Sequence, residues 1–196
     1  MYSKLNISIT LLMILASTFT VLGQEANNKT RFSIELDPLA YASGGYSGHL
    51  RIQPKNSKHL LLGIGVAAFN QPDFAVNLDP ENNDEGWKVR VDNTVGIFGE
   101  YHFSEVNKKW FIGGQISFQQ QKIENDNLTG SANFSNIMLM LQGGYTFRPF
   151  KFPLYIKPWM GIGYVSKVSG EHTLEGQDYN VSPVTFLMTF HVGYTF

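Results

Sequence analysis

From Val184 to Phe196 the chain alternates. Val184, Phe186, Met188, Phe190, Val192, Tyr194 and Phe196 share one parity, while Thr185, Thr189, His191, Gly193 and Thr195, with Leu187 as the apolar exception, share the other. A period of two sends the two sets to opposite faces of a strand. The same rhythm recurs upstream and predicts eight strands, over residues 30–41, 45–53, 59–69, 87–103, 110–122, 133–147, 154–167 and 184–196. In the first, Phe32, Ile34 and Leu36 oppose Arg31, Ser33, Glu35 and Asp37. In the second, Tyr46, Leu50 and Ile52 oppose Ser47, His49, Arg51 and Gln53.

The fourth segment sets Val89, Val91, Val95, Ile97, Tyr101 and Phe103 against Lys88, Arg90, Asp92, Thr94, Glu100 and His102. The sixth sets Ile137, Leu139, Leu141, Tyr145 and Phe147 against Asn136, Met138, Met140, Gln142 and Thr146. The seventh, with Ile156, Met160, Ile162 and Tyr164 on one face and Lys157 and Trp159 on the other, carries Pro158, which weakens the strand or marks a bulge. Turns after the second, fourth and sixth segments are short. Those after the third, fifth and seventh are longer and polar, and residues 42–45 make a tight turn. Alternating short turns and long loops are the connectivity of an even-stranded, up-and-down antiparallel barrel with both termini at the short-turn end.

Periodicity alone does not say which face is the interior. The segments are long enough to cross a tilted bilayer, aromatics gather at their ends, and the chain finishes on Phe196. Together these place the apolar set outside, against lipid. Tyr101, Phe103, Trp110, Phe111, Tyr145, Phe147, Tyr155, Tyr194 and Phe196 are then expected in one interfacial girdle, and Tyr41, Tyr46, Trp87, Phe118, Phe134 and Tyr164 in the other. Arg31, Glu35, Asp37, His49, Arg51, Lys88, Arg90, Asp92, Glu100, His102, Lys157 and His191 are expected in the lumen.

Lys4 followed by the apolar stretch Ile7 to Leu22 and by Val21-Leu22-Gly23 has the organisation of a secretory signal peptide. Residues 1–23 are expected to be removed, leaving a single mature domain over 24–196 that begins at Gln24. The chain has no cysteine, so neither a lipid-anchored terminus nor disulfides are expected, and stability must come from packing or from the bilayer. A formal net charge of −1 gives no electrostatic footprint for nucleic acid, and none is expected as a partner.

These features, with the glycine–aromatic strand ends Gly143-Gly144-Tyr145-Thr146-Phe147, Gly161-Ile162-Gly163-Tyr164 and Gly193-Tyr194-Thr195-Phe196, resemble the small eight-stranded outer-membrane barrels of the OmpA/OmpX type, and the outer-membrane barrel-domain proteins common in Bacteroidetes. The resemblance spans the mature chain. It implies an all-β, eight-stranded antiparallel transmembrane β-barrel in the outer membrane of a Gram-negative bacterium, with periplasmic termini. It also implies recognition of terminal Phe196 by the barrel assembly machinery, and contact with outer-membrane lipids and lipopolysaccharide.

Activity is less legible. An eight-stranded barrel has a lumen that side chains fill, and near-equal numbers of inward acids and bases are expected to pair into a plug, which disfavours a general porin and leaves a narrow channel as a minor alternative. His102-Phe103-Ser104 has the His-x-Ser spacing of outer-membrane lipid A deacylases, but the flanking Tyr101 and Glu105-Val106-Asn107 depart from that family. His191 and His49, near Glu100 or Glu35, read as interior histidines, and no catalytic residue is assigned. The acidic run Asp79 to Gly86 lacks calcium-loop spacing and reads as a solvated loop, so no metal or cofactor is expected. Asn28-Lys29-Thr30, Asn127-Leu128-Thr129 and Asn133-Phe134-Ser135 spell glycosylation sequons that a bacterial outer-membrane protein does not normally use. The favoured expectation is a non-enzymatic barrel acting through the loops over 70–86, 124–132 and 168–182 on surfaces or partner proteins. A lipid A-modifying hydrolase or acyltransferase is the alternative.

Overall fold

The computed structural model describes residues 29–196, so the expected signal peptide and the cleavage before Gln24 lie outside the described residues. Eight long strands close into one ring: β1 (Arg31–Leu36), β2 (Tyr46–Gln53), β3 (Leu60–Asn70), β4 (Trp87–His102), β5 (Lys109–Asn125), β6 (Ala132–Thr146), β7 (Leu154–Gly170) and β10 (Val184–Thr195). Each pairs antiparallel with its chain neighbour, and β1 pairs with β10 to close the ring. A separate hairpin, β8 (Thr173–Leu174) with β9 (Gln177–Asp178), stands in the last loop. Short helices α1 (Pro38–Ala42) and α2 (Asp73–Val76) and a 3-10 turn (Pro80–Asn82) complete the fold. One mouth, here the turn end, carries both ends of the described residues and the short connections. The other, the loop end, carries α1 and the long loops.

The alternation behaves as expected through most of the wall. Leu50, Ile64, Ile97, Ile112, Leu141, Ile162, Phe186 and Met188 are exposed on the outside, while Glu35, Arg51, Glu100, His102, Lys157 and His191 are buried inside. An apolar exterior over a polar interior is the inverse of a soluble barrel and matches a lipid-embedded one.

Four expectations need correction. The first strand stops at Leu36, because Asp37 caps a helix that starts on Pro38: its carboxylate accepts the Leu39 N–H at 2.9 Å. Proline has no N–H to add to a ladder and suits the first helical position, so α1 replaces both the strand end and the expected tight turn. Lys88, Arg90 and Asp92 do not enter the lumen. The β4–β5 register shifts between Val91 and Asn93, and one extra residue in a strand reverses the facing of everything beyond it. Val89 and Val91 therefore point inward and are buried, while Lys88, Arg90 and Asp92 are exposed or partly so. Arg31 is exposed at the turn end.

The fourth correction concerns the girdles. Phe103, Trp110, Phe147, Tyr194 and Phe196 are exposed at the turn end, and Tyr41, Tyr46, Phe118 and Tyr164 toward the loop end. Phe111 and Tyr155, however, are buried in the lumen, and Trp87 and Phe134 are buried under the loops. Pro158 neither breaks β7 nor bulges it. The β6–β7 pairs Gly144↔Trp159 and Phe147↔Ile156 share one register, and the ladder gap between them falls opposite Tyr145, where Pro158 has no N–H to donate, so the proline weakens the pairing locally without bulging the strand.

Candidate functional site

The lumen is layered along the barrel axis. At the turn end, the β4–β5 turn folds into the mouth. Asn107 is fully buried there, with its Nδ2 donating to Thr195 Oγ1 at 3.2 Å and lying 3.4 Å from Ser33 Oγ. Its backbone, at φ 59°, lies in the left-handed region that asparagine tolerates.

Above this lid lies a charge layer. Glu35 of β1 accepts from Arg51 Nε at 2.9 Å, Lys157 Nζ at 2.6 Å, Tyr155 Oη at 2.8 Å and His191 Nδ1 at 2.9 Å. Glu100 of β4 accepts from the same Lys157 at 3.0 and 3.1 Å, and Arg51 Nη2 stands 3.6 Å from it. Two carboxylates and two cations make the layer neutral, and each ion touches both opposites, as buried charge requires. Inward glycines make room for it. A Cβ on Gly63 would lie 2.4 Å from Arg51 Cδ, one on Gly65 2.1 Å from His49 Cδ2, and one on Gly193 2.3 Å from Tyr155 Cζ.

His191 links this layer to the next. Trp159 Nε1–H donates to His191 Nε2 at 3.2 Å, so the proton toward Glu35 sits on Nδ1. His191 stacks on His49 with centroids 4.6 Å apart. Glu35, His49 and His191 can each bring a ligand atom within 4.8 Å of the others. Both nitrogens of His191 are already bonded, however, and Glu35 is held by two cations whose charge repels a metal ion. His102, from the sequence pair with Ser104, is buried with Nε2 3.3 Å from Glu100 Oε2. No hydrogen bond joins it to Ser104 among the described residues.

Beyond the charges the lumen turns apolar, with Phe111, Met138, Met140 and Trp159 packed together and Leu187 against them. It then opens into a cavity of about 810 Å³, lined from β2, β3, β4, β5, β6, β7 and β10 by inward residues including His49, Ala67, Phe98, Ser117, Met138 and Thr189. The expected side-chain filling of the lumen is therefore interrupted by this cavity. Ser117 Oγ and His49 Nδ1 are buried without a hydrogen-bond partner.

The loop end is capped by a second apolar cluster, Val76, Trp87, Val89, Ile123, Phe134, Leu174 and Tyr179, drawn from the loops and the strand ends. Burial beneath this cap, with Asp79 nearby, pushes the Tyr179 phenol up to about 12. Asn82 locks two loops together: its Nδ2 donates to Val76 O at 3.1 Å and Asn180 O at 2.8 Å, and its Oδ1 accepts from Asn180 N at 2.9 Å. Outside the cap the surface is acidic, with Asp73, Asp79, Glu81, Asp84, Glu85, Asp126, Glu171, Glu175 and Asp178 all on loops or at their edges. The turn end is the opposite, carrying Arg31, Lys55, Lys58, Lys108, Lys109, Arg148 and Lys151 with Glu105 as its acid.

The family of outer membrane protein beta-barrel domains matches residues 11–196. The chain belongs to this family. It is accordingly a β-barrel of the bacterial outer membrane. No curated protein matches it. Among solved structures, this outer-membrane barrel is similar to a major outer membrane protein from Thermus thermophilus, at 13% identity and TM-score 0.50 over 86% of this chain and 100% of that one. It is also similar to the N-terminal β-barrel domain of Pseudomonas aeruginosa OprF, at 11% identity and TM-score 0.49 over 88% and 100%. For Neisserial surface protein A the values are 10% identity and TM-score 0.43 over 85% and 96%. At 13% identity the likeness to the Thermus thermophilus protein speaks for the fold alone.

Sequence reasoning reached Glu35, Arg51, Glu100, His102, Lys157 and His191 as lumenal. It missed Tyr155 and Phe111 in the lumen, and it missed the cap. Parity was the available signal for the first two: Tyr155 shares it with Lys157 and Trp159, and Phe111 with Gln115 and Ser117.

Proposed function

We propose that this outer-membrane barrel is non-enzymatic and closed to general solute flow, and that its loop end is the working surface, meeting surfaces, lipopolysaccharide or a partner protein. In this reading the turn end and both termini are periplasmic. The observation that carries it is the contrast between the two halves. A neutral charge layer, in which each ion meets both of its opposites, and the Asn107 lid obstruct the turn-end lumen, while the loops form an interlocked platform with an acidic exterior. Loops positioned by a rigid scaffold are where binding residues concentrate. An acidic platform repels bare phosphate, so contact with lipopolysaccharide runs through bridging divalent cations, and direct contact favours a basic partner surface.

The test is affinity capture from native membranes with the wild-type protein and a Glu81→Gln/Asp84→Asn/Glu175→Gln variant. The expected result is loss of specific co-purifying partners or of cation-dependent lipopolysaccharide, with the unboiled mobility shift kept. Identical recovery from both forms would refute the loop-end role. Steady conductance in planar bilayers would refute the closed lumen. A changed lipid A mass spectrum on overexpression would favour the hydrolase alternative.

A further inference from the structure

The barrel wall is not laddered along its full height between its first and last strands. The β1–β10 pairs run from Ser33↔Thr195 to Leu36↔Val192 and end there, whereas β10 continues to Val184 paired with β7 alone. Phe196 N donates to Phe32 O, so the peptide groups of even-numbered β10 residues point toward β1. The next β1 position in register, opposite Phe190, is Pro38, which has no N–H and begins α1. The peptide groups of Phe190, Met188 and Phe186 therefore meet a short helix instead of a strand. No backbone hydrogen bond joins α1 to β10 among the described residues; the contact across the seam is Thr189 Oγ1 donating to Asp37 Oδ1 at 2.8 Å.

This seam meets the lumenal cavity. Leu39 on α1 and Met188 on β10 are exposed on the lipid-facing side, Met188 at 72%, yet both also line the cavity. Unpaired peptide groups are not tolerated against lipid tails, so a polar or amphipathic occupant of the gap lowers the cost of leaving the ladder open.

We propose that the cavity is a binding site for a single-chain amphiphile with an uncharged, hydrogen-bonding head, taken up from the lipid phase through the β1–β10 seam. Its volume of about 810 Å³ lies within the roughly 300–1,000 Å³ of small-molecule sites. Phe98, Met138, Trp159 and Leu187 supply apolar walls for the chain. His49 Nδ1 and Ser117 Oγ, both more than nine-tenths buried and unpartnered, supply polar contacts for the head. A buried polar atom without a partner is costly, and a ligand hydroxyl or ester oxygen relieves that cost. The charge layer beneath is already neutral, with Arg51 and Lys157 balanced by Glu35 and Glu100, so an ionised head would enter without a net counter-charge. The missing strand pairing opens a slot suited to one hydrocarbon chain, since adjacent strands lie only about 4.8 Å apart.

The test uses the full barrel in phosphatidylcholine vesicles with Trp87→Phe and Trp110→Phe, which leaves Trp159 as the sole tryptophan. The probe is a bromine-labelled 1-monoacylglycerol, compared with bromine-labelled phosphatidylcholine and an ionised bromine-labelled fatty acid. The expected result is saturable quenching of Trp159 by the monoacylglycerol, reversed by unlabelled monoacylglycerol and weak for the other two. Ser117→Phe and Ala67→Phe, each placed into the cavity and checked for folding by the unboiled mobility shift, should abolish the saturable component. Absent quenching, or quenching that is unsaturable and unchanged in both filled variants, would overturn the site. Equal or stronger saturable quenching by the fatty acid would overturn the uncharged head.

Discussion

Asn82 and Asn180 face each other as a strand pair would, except that one partner is a side chain. The Asn82 amide donates to Asn180 O at 2.8 Å and accepts from Asn180 N at 2.9 Å, tying the loop after β3 to the loop before β10. Asn82→Ala removes both of these bonds and the one to Val76 O from a buried site, a loss of about 1–3 kcal/mol confined to the loop end. Limited proteolysis of the folded barrel in vesicles should cut the loops faster in this variant, with the heat-modifiable mobility of the barrel unchanged. Equal cleavage rates would show that the apolar cap alone holds the loops.

Among the described residues, Lys157 is the one ammonium touching both Glu35 and Glu100. Lys157→Met leaves Glu35 and Glu100 short of a counter-charge, and breaking a buried pair on one side costs about 3–5 kcal/mol. Urea unfolding of vesicle-embedded protein should move to lower denaturant. The double variant Glu100→Gln/Lys157→Met should recover part of the loss, because it restores neutrality. A double variant no more stable than Lys157→Met would contradict the pairing.

Glycine at position 193 is required by Tyr155, whose Oη lies 2.5 Å from where a Cβ would stand. Gly193→Ala forces the ring off Glu35, an overpacking change of about 1–3 kcal/mol. Gly48→Ala is the matched control, since nothing lies within 4 Å of its Cβ position. Similar unfolding midpoints for the two variants would rule out the close approach as the reason for glycine.

Tyr179 links the cap to pH. Its phenol is pushed up to about 12 in the fold, while an unfolded tyrosine ionises near 10. The raised value means its stabilisation is complete below pH 10 and is lost progressively as pH climbs toward 12, amounting to about 3 kcal/mol. Loop proteolysis of the wild type should therefore accelerate across that window. Tyr179→Phe should flatten the pH response, and an unchanged profile in that variant would assign the loss to other groups.

How much was legible varied by position, for definite reasons. Where one face meets lipid and the other a crowded lumen, as along β10 from Val184 to Thr195, each side chain reports its own side and the pattern reads directly. At the loop end that rule lapses. Val89 and Val91 look lipid-facing by parity, but the register shift beside Asp92 sends them under the cap. Trp87 and Phe134 look like girdle aromatics because both solvents reward an aromatic near a strand end. Aromatic type does not distinguish a ring at the interface from one buried inside.

By itself, the sequence determined the number of wall strands, their antiparallel order, the outward apolar face and the lumenal place of Glu35, Arg51, Glu100, His102, Lys157 and His191, because each follows from period-two alternation and turn chemistry within a few residues. Tertiary structure alone decided which charges meet: Lys157 reaches Glu35 and Glu100 only once distant strands close into a ring. It also decided that the lumen holds a cavity between its charge layer and its loop-end cap, and that the wall is unladdered where the helix at Pro38 replaces β1. Those properties depend on register, closure and side-chain volume summed across the lumen, and no local stretch of the chain encodes them.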